Sequence, residues 1–382
     1  MAGQAGLNQE LIKTANQSRI LYLINEQGPL SRKELAGRLS LTPAALTQIT
    51  TRMLEDGVLA EVGERMSTRA GRKEILLDIR TESRYLVTAA IEAGETALSV
   101  CPLKGKPLKT RVFPMTAGDI SAVLSEENRG KHTPAPTFID FLKEVADAVS
   151  PLIREAGVAP ESVLGIGVSL PGVVGEHGAG RRTHRIWRED TEVRAVFEER
   201  TGLPAVLDNN VRAFARAELI YGKERDKDNL LFVKWGPGVG SAIVAGRKMY
   251  DSATANSAEL GHITVEKNGR RCWCGKRGCL ETVVSARAIR ESSDPEKRVK
   301  AADLLARATV NAATFLSPDC VIFYGSLFEE DDLRNAFLEA CRSYDGDSDE
   351  TRLSWSELRG EISYIGPQAV GYDEFFLSKG GV

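Results

Sequence analysis

Few of the features that narrow a chain to a special class are present. Six cysteines in 382 residues are too few for a disulfide scaffold. No apolar run approaches the roughly 18 residues of a membrane-spanning helix. The first thirty residues carry polar and acidic side chains throughout, which is wrong for a signal-peptide core and predicts a cytoplasmic protein. Charge of one sign is also lacking: 50 Lys plus Arg stand against 53 Asp plus Glu, a net of −3, so the whole chain does not advertise a polyanion partner. No repeat or low-complexity tract occurs. What remains is ordinary globular composition, 42% hydrophobic and 27% charged. At about 150 residues per domain the length predicts two or three domains. Neither scarcity is uniform. Cys272, Cys274 and Cys279 fall within eight residues, and residues 1–80 carry a net of +2 against −5 for the rest.

The opening 80 residues read as a winged helix-turn-helix domain. Leu11, Ile12, Ala15, Ile20, Leu21, Leu23 and Ile24 predict a helix broken or bent near Asn16 to Ser18. Gly28 and Pro29 end it, and Ser31 with Glu34 forms a capping-box pair for a second helix. Thr42 and Pro43 place an N-cap and a preorganised first residue before a third helix, with Leu46, Ile49, Met53 and Leu54 as its buried stripe. That stripe leaves Thr42, Ala44, Ala45, Thr47, Gln48, Thr51 and Arg52 toward solvent or DNA. Threonine methyls can touch thymine, and Gln48 can pair with adenine. Strands at Val58–Val62 and Glu74–Ile79 would flank a wing whose Arg65, Arg69, Arg72 and Lys73 outnumber Glu64 and could reach phosphates or a minor groove. The bland alternative is a solvated basic hairpin on a protein-interaction domain.

Beyond Ile79 the texture is α/β. A hairpin is expected at Tyr85–Ala90 and Ala97–Cys101, one amphipathic helix at Phe138–Ala156, and strands at Leu164–Val168, Ala205–Leu207 and Leu230–Lys234. Helices are expected at Val193–Thr201 and Ala213–Tyr221. Strands alternating with helices imply a mostly parallel or mixed sheet with ligands at strand ends. His262, Cys272, Cys274 and Cys279 offer four soft or borderline ligands, the Cys3His composition of structural zinc. Filling every position with protein leaves no site for a metal-bound water, so the predicted zinc is structural. The bland alternative is unliganded, reduced cysteine in a turn. Cys101, Cys320 and Cys341 read as packing residues.

The run Glu259-Leu260-Gly261-His262, followed by Cys272-Trp273-Cys274-Gly275-Lys276-Arg277-Gly278-Cys279-Leu280-Glu281, closely resembles the signature of the ROK family of repressors, open reading frames and sugar kinases. The resemblance extends from about Ile20 to about Glu339. With the winged domain in front, the chain is similar to the repressor branch, which includes the N-acetylglucosamine, xylose and making-large-colonies repressors. Membership implies an actin-like, hexokinase-like α/β core of two lobes around a sugar cleft, usually as a homodimer or larger assembly. The expected division is 1–80 for the reader and 81–382 for the sensor, with lobes near 81–200 and 201–354 and an atypical tail at 355–382.

The resemblance also locates departures from the kinases. The first phosphate loop, usually Asp-x-Gly-Gly-Thr, is Glu92-Ala93-Gly94-Glu95-Thr96, which puts a carboxylate where nucleotide phosphate would sit. Pro237 interrupts the second loop with neither hydroxyl nor amide hydrogen. The glycine pair near the base is reduced to Gly325-Ser326, and the general-base position falls on Asn210, unless a register shifted by two brings in Asp208. No catalytic residue and no ATP are therefore expected. Glu259, His262 and Glu281 match the family's sugar-contacting positions, Asn210 retains hydrogen-bonding capacity, and His184 replaces an expected Asn before Trp187. Glu259 and Glu281 have a plainer reading as support for the zinc loop. Likewise, Arg181, Arg182, Arg185 and Arg188 are either a solvated basic loop or cations selecting a phosphorylated or acidic sugar.

The resulting expectation is a regulator that binds double-stranded operator DNA and senses a sugar or sugar phosphate. Its competitors are an ATP-dependent sugar kinase and an effector-blind regulator controlled by a protein partner.

Overall fold

The computed structural model describes residues 2–66, 73–92, 94–114, 138–174, 180–181, 191–250, 258–290, 295–345 and 352–381. The first helix, α1 (Ala2–Gln27), runs unbroken where a bend was expected at Asn16 to Ser18. Gln17 is buried there against the C-terminal tail, where a Cβ added at Gly380 would lie 3.0 Å from Gln17 Cβ. Tertiary packing thus carries the helix through a stretch of poor formers. Strand β1 (Leu30–Ser31), unread in the sequence, leads into α2 (Arg32–Leu39), which begins with the complete Ser31–Glu34 capping box and ends on Ser40 in a left-handed conformation. Thr42 caps α3 (Pro43–Glu55), and Gly57 (φ 69°) turns the chain into strand β2 (Leu59–Met66). Strand β3 (Lys73–Ile79) pairs antiparallel with both β2 and β1, completing the wing sheet. Ile20, Leu21, Ile24, Leu35, Leu46, Met53 and Leu77 form the core of this domain.

Two five-stranded sheets of identical topology follow. The first contains β4 (Tyr85–Ile91), β5 (Glu95–Pro102), β6 (Lys109–Pro114), β7 (Val163–Leu170) and β10 (Ala205–Asn209) in the order β10-β7-β4-β5-β6. Between β7 and β10 lies a short pair, β8 (Val173–Val174) with β9 (Gly180–Arg181). The second sheet contains β11 (Leu230–Trp235), β12 (Val239–Ala245), β13 (Lys248–Met249), β14 (Cys320–Tyr324) and β15 (Leu353–Trp355) in the order β13-β12-β11-β14-β15. In each, an antiparallel meander is extended on its first strand by two parallel strands that need crossover connections.

Helices complete the layers: α4 (Phe138–Asp147), α5 (Val149–Glu155), α6 (Val193–Thr201) and α7 (Asn210–Tyr221) around the first sheet, then α8 (Glu281–Val284), α9 (Ala286–Arg290), α10 (Pro295–Leu316) and α11 (Asp331–Asp345) around the second. The single helix expected over Phe138–Ala156 is two, because Pro151 has no N–H for the Asp147 carbonyl and its ring crowds that position. The lobe limit expected near residue 200 precedes β10, which belongs to the first sheet.

The tail does not trail off the second lobe. Its helix α12 (Ile365–Tyr372) returns to the first lobe and packs on β4, β7 and α7. A Cβ added at Gly167 would sit 2.0 Å from the Pro367 carbonyl, so the glycine permits this approach. Tyr372, Phe376 and Leu377 join Phe214 and Ile220 in the same buried cluster as the winged-domain core. Reader, tail and one face of each lobe's sheet share one continuous apolar interior.

Candidate functional site

Three surfaces carry the candidate chemistry. On α3, Thr42, Ala44, Thr47, Gln48, Thr51 and Arg52 are all exposed, while Leu46 and Met53 are buried. The Thr42 hydroxyl caps the helix by accepting from the Ala45 amide at 3.3 Å, and Thr47 donates to the Pro43 carbonyl at 2.8 Å. The expected stripe missed Thr50, which is buried, accepts from Arg32 Nε at 3.1 Å and donates to the Leu46 carbonyl. The wing's described cations are less available than their count suggested. Arg65 pairs with Glu34 at 2.6 Å and Lys73 with Glu64 at 2.6 Å, while Lys33 holds Glu74 at 3.2 Å. Desolvation opposes ionisation of Glu34, but hydrogen bonds from Arg65 and Ser31 outweigh it and hold the carboxyl down at about 2. Arg69 and Arg72 lie outside the described residues.

The second surface is the cysteine loop. The turn Leu260–His262 brings the imidazole beneath a tight reversal in which the Cys272 amide donates to the Lys276 carbonyl at 2.8 Å. Gly278, at φ 69°, permits the return: an added Cβ would lie 1.8 Å from the Glu266 carbonyl oxygen. Donor atoms of His262, Cys272, Cys274 and Cys279 all fall within 4.8 Å of one another. His262 Nδ1 is 3.5 Å from Cys272 Sγ, and the Cys274 and Cys279 sulfurs are 3.6 Å apart. These separations suit neighbouring vertices of a tetrahedral zinc site, which bond lengths of about 2.3 Å to sulfur and about 2.0 Å to nitrogen place roughly 3.5–3.8 Å apart. Burial pushes the Cys272 thiol up to about 12, so a cation binding here displaces protons. The donor set fits a metal ion.

The ligands are braced from outside. His262 Nε2 faces Glu259 at 3.8 Å, and the Trp273 ring stands edge-on to the imidazole at 4.6 Å between centroids. Trp273 Nε1 donates to Glu281 Oε1 at 2.7 Å, and the Val239 amide donates to Glu281 Oε2 at 3.0 Å. Glu281 therefore ties the metal loop to the start of β12 with both oxygens. Desolvation, and then the charge of Glu281, push the Glu259 carboxyl above its ordinary range. Cys101, Cys320 and Cys341 are buried away from this cluster, and burial raises each thiol to about 12.

The third surface is the cleft between the lobes. Cβ positions at Gly261 and Gly240 would meet the Val239 carbonyl at 2.3 Å and Val211 Cγ2 at 2.6 Å, so the His262 turn, the start of β12 and the first turn of α7 are in contact. Glu259, His262, Glu281 and Asn210 are thereby gathered around one strand end. Asn209 caps α7, accepting from the Val211 and Arg212 amides, and donates to the Gly172 carbonyl at 2.7 Å. Asn210 Nδ2 donates to Glu92 Oε1 and Oε2 at 2.9 and 3.1 Å, a pairing between the ends of β10 and β4 on the first-lobe rim that no sequence periodicity signals. Asp208 turns to the other side of β10, bound by Arg212 Nε at 2.8 Å and Arg216 Nη2 at 3.3 Å. Asp208 is thus held by two guanidinium groups of α7. Gly325, at φ 126°, packs where an added Cβ would be 2.1 Å from the Trp235 carbonyl oxygen. Beside it opens a cavity of 280 Å³ lined by Phe323, Tyr324, Phe328, Glu329, Arg334 and Trp355. His184, Arg182, Arg185, Trp187 and Arg188 lie outside the described residues, as does the side chain of Arg181.

A winged helix-turn-helix joined to two lobes of duplicated hexokinase-like topology, with a Cys3His cluster at the cleft, defines the class. Residues 113–351 match the ROK family model and residues 13–60 that of the MarR family. The chain belongs to the ROK family. It is 28% identical over 291 residues to the N-acetylglucosamine repressor of Escherichia coli O6:H1, covering 76% of this chain and 67% of that protein. A ROK family transcriptional regulator described as a homolog of the Escherichia coli MLC protein superposes with a TM-score of 0.75 at 21% identity, covering 97% of this chain and 98% of that one. The ROK hexokinase from Thermus thermophilus superposes with a TM-score of 0.62 at 24% identity, covering 76% and 98%. No helix among the described residues is long and apolar enough to cross a membrane.

Proposed function

We propose that the protein is a cytoplasmic transcriptional repressor that binds double-stranded operator DNA as a homodimer and releases it in response to a sugar or sugar derivative. The observation that carries this reading is the exposed row Thr42, Ala44, Thr47, Gln48, Thr51 and Arg52 on a capped helix whose domain core continues into a sugar-kinase-like sensor. Small and amide side chains on such a helix allow close approach to base edges in the major groove. A dimer presents two such helices, and a ligand that prefers one lobe arrangement alters their spacing.

Zinc, held by His262, Cys272, Cys274 and Cys279, is the structural ion of this reading. When bound it fixes the loop that carries Glu259, His262 and Glu281 toward the ligand. Phosphoryl transfer is not part of it. Asn210 cannot take a proton, its amide is occupied by Glu92, and Asp208 is committed to two arginines. Family-branch resemblance supports carbohydrate genes as targets.

Selection of bound genomic fragments, followed by titration with N-acetylglucosamine, glucose, xylose and hexose 6-phosphates, tests the reading. The expected result is a discrete operator whose affinity falls with one of these sugars, and about 1–3 kcal/mol loss of discrimination for Gln48→Ala at an adenine position. Absence of any selected fragment overturns the repressor assignment. Operator binding indifferent to every sugar but altered by a protein partner would support the effector-blind alternative instead. The cavity beside Gly325 favours one second reading, a sugar kinase with an attached reader. ATP-dependent turnover of any hexose in the panel would establish it.

A further inference from the structure

The reader is joined to the sensor by polar contacts of two kinds. Around the far end of α7, Asn25 Nδ2 donates to the Ile220 carbonyl at 3.2 Å, Arg225 Nε donates to the Glu26 carbonyl at 3.2 Å, and Arg247 pairs with Glu26 at 3.5 Å. These hold the end of α1 to the sensor without reaching the cleft. The other kind forms a continuous line. Asp208 lies one residue before Asn209, the cap of α7, and two before Asn210, which meets Glu92 at the first-lobe rim of the cleft. Its carboxylate binds Arg212 and Arg216 from successive turns of α7. Arg216 also grips Asp373 of the tail, and the other oxygen of Asp373 accepts from the hydroxyl of Tyr22 on α1. Two guanidinium groups and two carboxylates thus balance in a chain from the cleft rim to the reader helix, with Asp373 joining three segments far apart in sequence.

We propose that Asp373 is a positioning residue that transmits the state of the cleft to the DNA-binding domain, by fixing α1 through Tyr22 to α7 through Arg216. The inference rests on the repressor reading for its biological use, but not for its test. A bivalent acceptor between a cation on one body and a hydroxyl on another has one arrangement that satisfies both. A tilt of α7 started at Asn209 and Asn210 must therefore either carry Tyr22 with it or break a hydrogen bond to a charged group. Such contacts couple two bodies more strongly than neutral ones. The contacts of Asn25, Arg225 and Arg247 supply attachment, so loss of Asp373 uncouples the reader without releasing it.

The test is hydrogen exchange on the full-length, zinc-loaded chain, with no DNA required. Asn210→Ala, which releases the Glu92 carboxylate at the cleft rim, should change exchange in the α1 peptide spanning Tyr22 by about fivefold or more, the lower end of ordinary coupling strengths. In an Asp373→Asn background the same Asn210→Ala change should leave that peptide within about twofold of its parent. Arg225→Ala, which loosens attachment alone, should leave the transmitted effect intact. If Asp373→Asn fails to fold, Tyr22→Phe removes only the hydroxyl and serves in its place. An equal response to Asn210→Ala with and without Asp373, or no response in either, overturns the proposal. Failure of DNA binding in the separate fragment selection would overturn the repressor reading and leave this result standing.

Discussion

The two sides of the cleft have fared differently. On the metal side a donor set that could hold an ion is assembled: four donors lie within 4.8 Å, a left-handed Gly278 permits the turn, and the Glu281 carboxylate is held by Trp273 and Val239. On the phosphate side the backbone is closely packed, with Gly325 against Trp235, and its polar side chains pair with one another. Glu92 and Asn210 satisfy each other where a kinase would keep a base free, and Pro237 removes an amide hydrogen. Close backbone packing is common to both sides, whereas converging donors are found on the metal side and mutually satisfied groups on the other.

That contrast can be broken most directly at Cys274. Cys274→Ser should lose bound zinc and lower zinc affinity by more than the roughly 10–100-fold that outer partners of a metal site are worth. Metal content after dialysis measures this, and stoichiometric zinc in the variant would remove the metal assignment. Gly278→Ala forces a Cβ onto the Glu266 carbonyl at a positive φ, and several kcal/mol of destabilisation, of order 3, is expected in a denaturant titration. Glu281→Gln keeps the shape but offers one carbonyl oxygen to two donors, so either Val239 or Trp273 loses its acceptor. About 1–2 kcal/mol should be lost, with a weakened response to sugar. Asn210→Asp sharpens the phosphate side: the new carboxylate faces Glu92, so stability should fall by about 1 kcal/mol and hexose phosphorylation should remain undetectable. Turnover in that variant would show that a single amide was what kept the site inactive.

Much of the fold was legible because its signals are local. The Ser31–Glu34 capping box and the Thr42-Pro43 start act within one helical turn, and both form as read. The cysteine loop was legible because three ligands and two glycines lie within a few residues. Misreadings occurred where a distant segment intervened. Helix α1 runs through Asn16 to Ser18 because the tail packs on Gln17. The tail itself looked atypical because its partners, β4, β7 and α7, are far away in sequence. The helix expected over Phe138–Ala156 failed for a local reason, since Pro151 was present in the sequence and its apolar periodicity obscured it.

The site divides along the same line. The sequence by itself determined which side chains could bind a metal and that the exposed face of α3 is small and polar. Those properties belong to residue identity and short spacing. Only the tertiary structure decided that the wing's Arg65 is engaged by Glu34, that Asn210 meets Glu92 across 118 residues, and that Tyr22 meets Asp373 across 351. Helical and strand periods specify which face a residue occupies, not which distant face it meets. That pairing is set by burial of apolar surface over the whole chain, here the interior that joins reader, tail and both lobes.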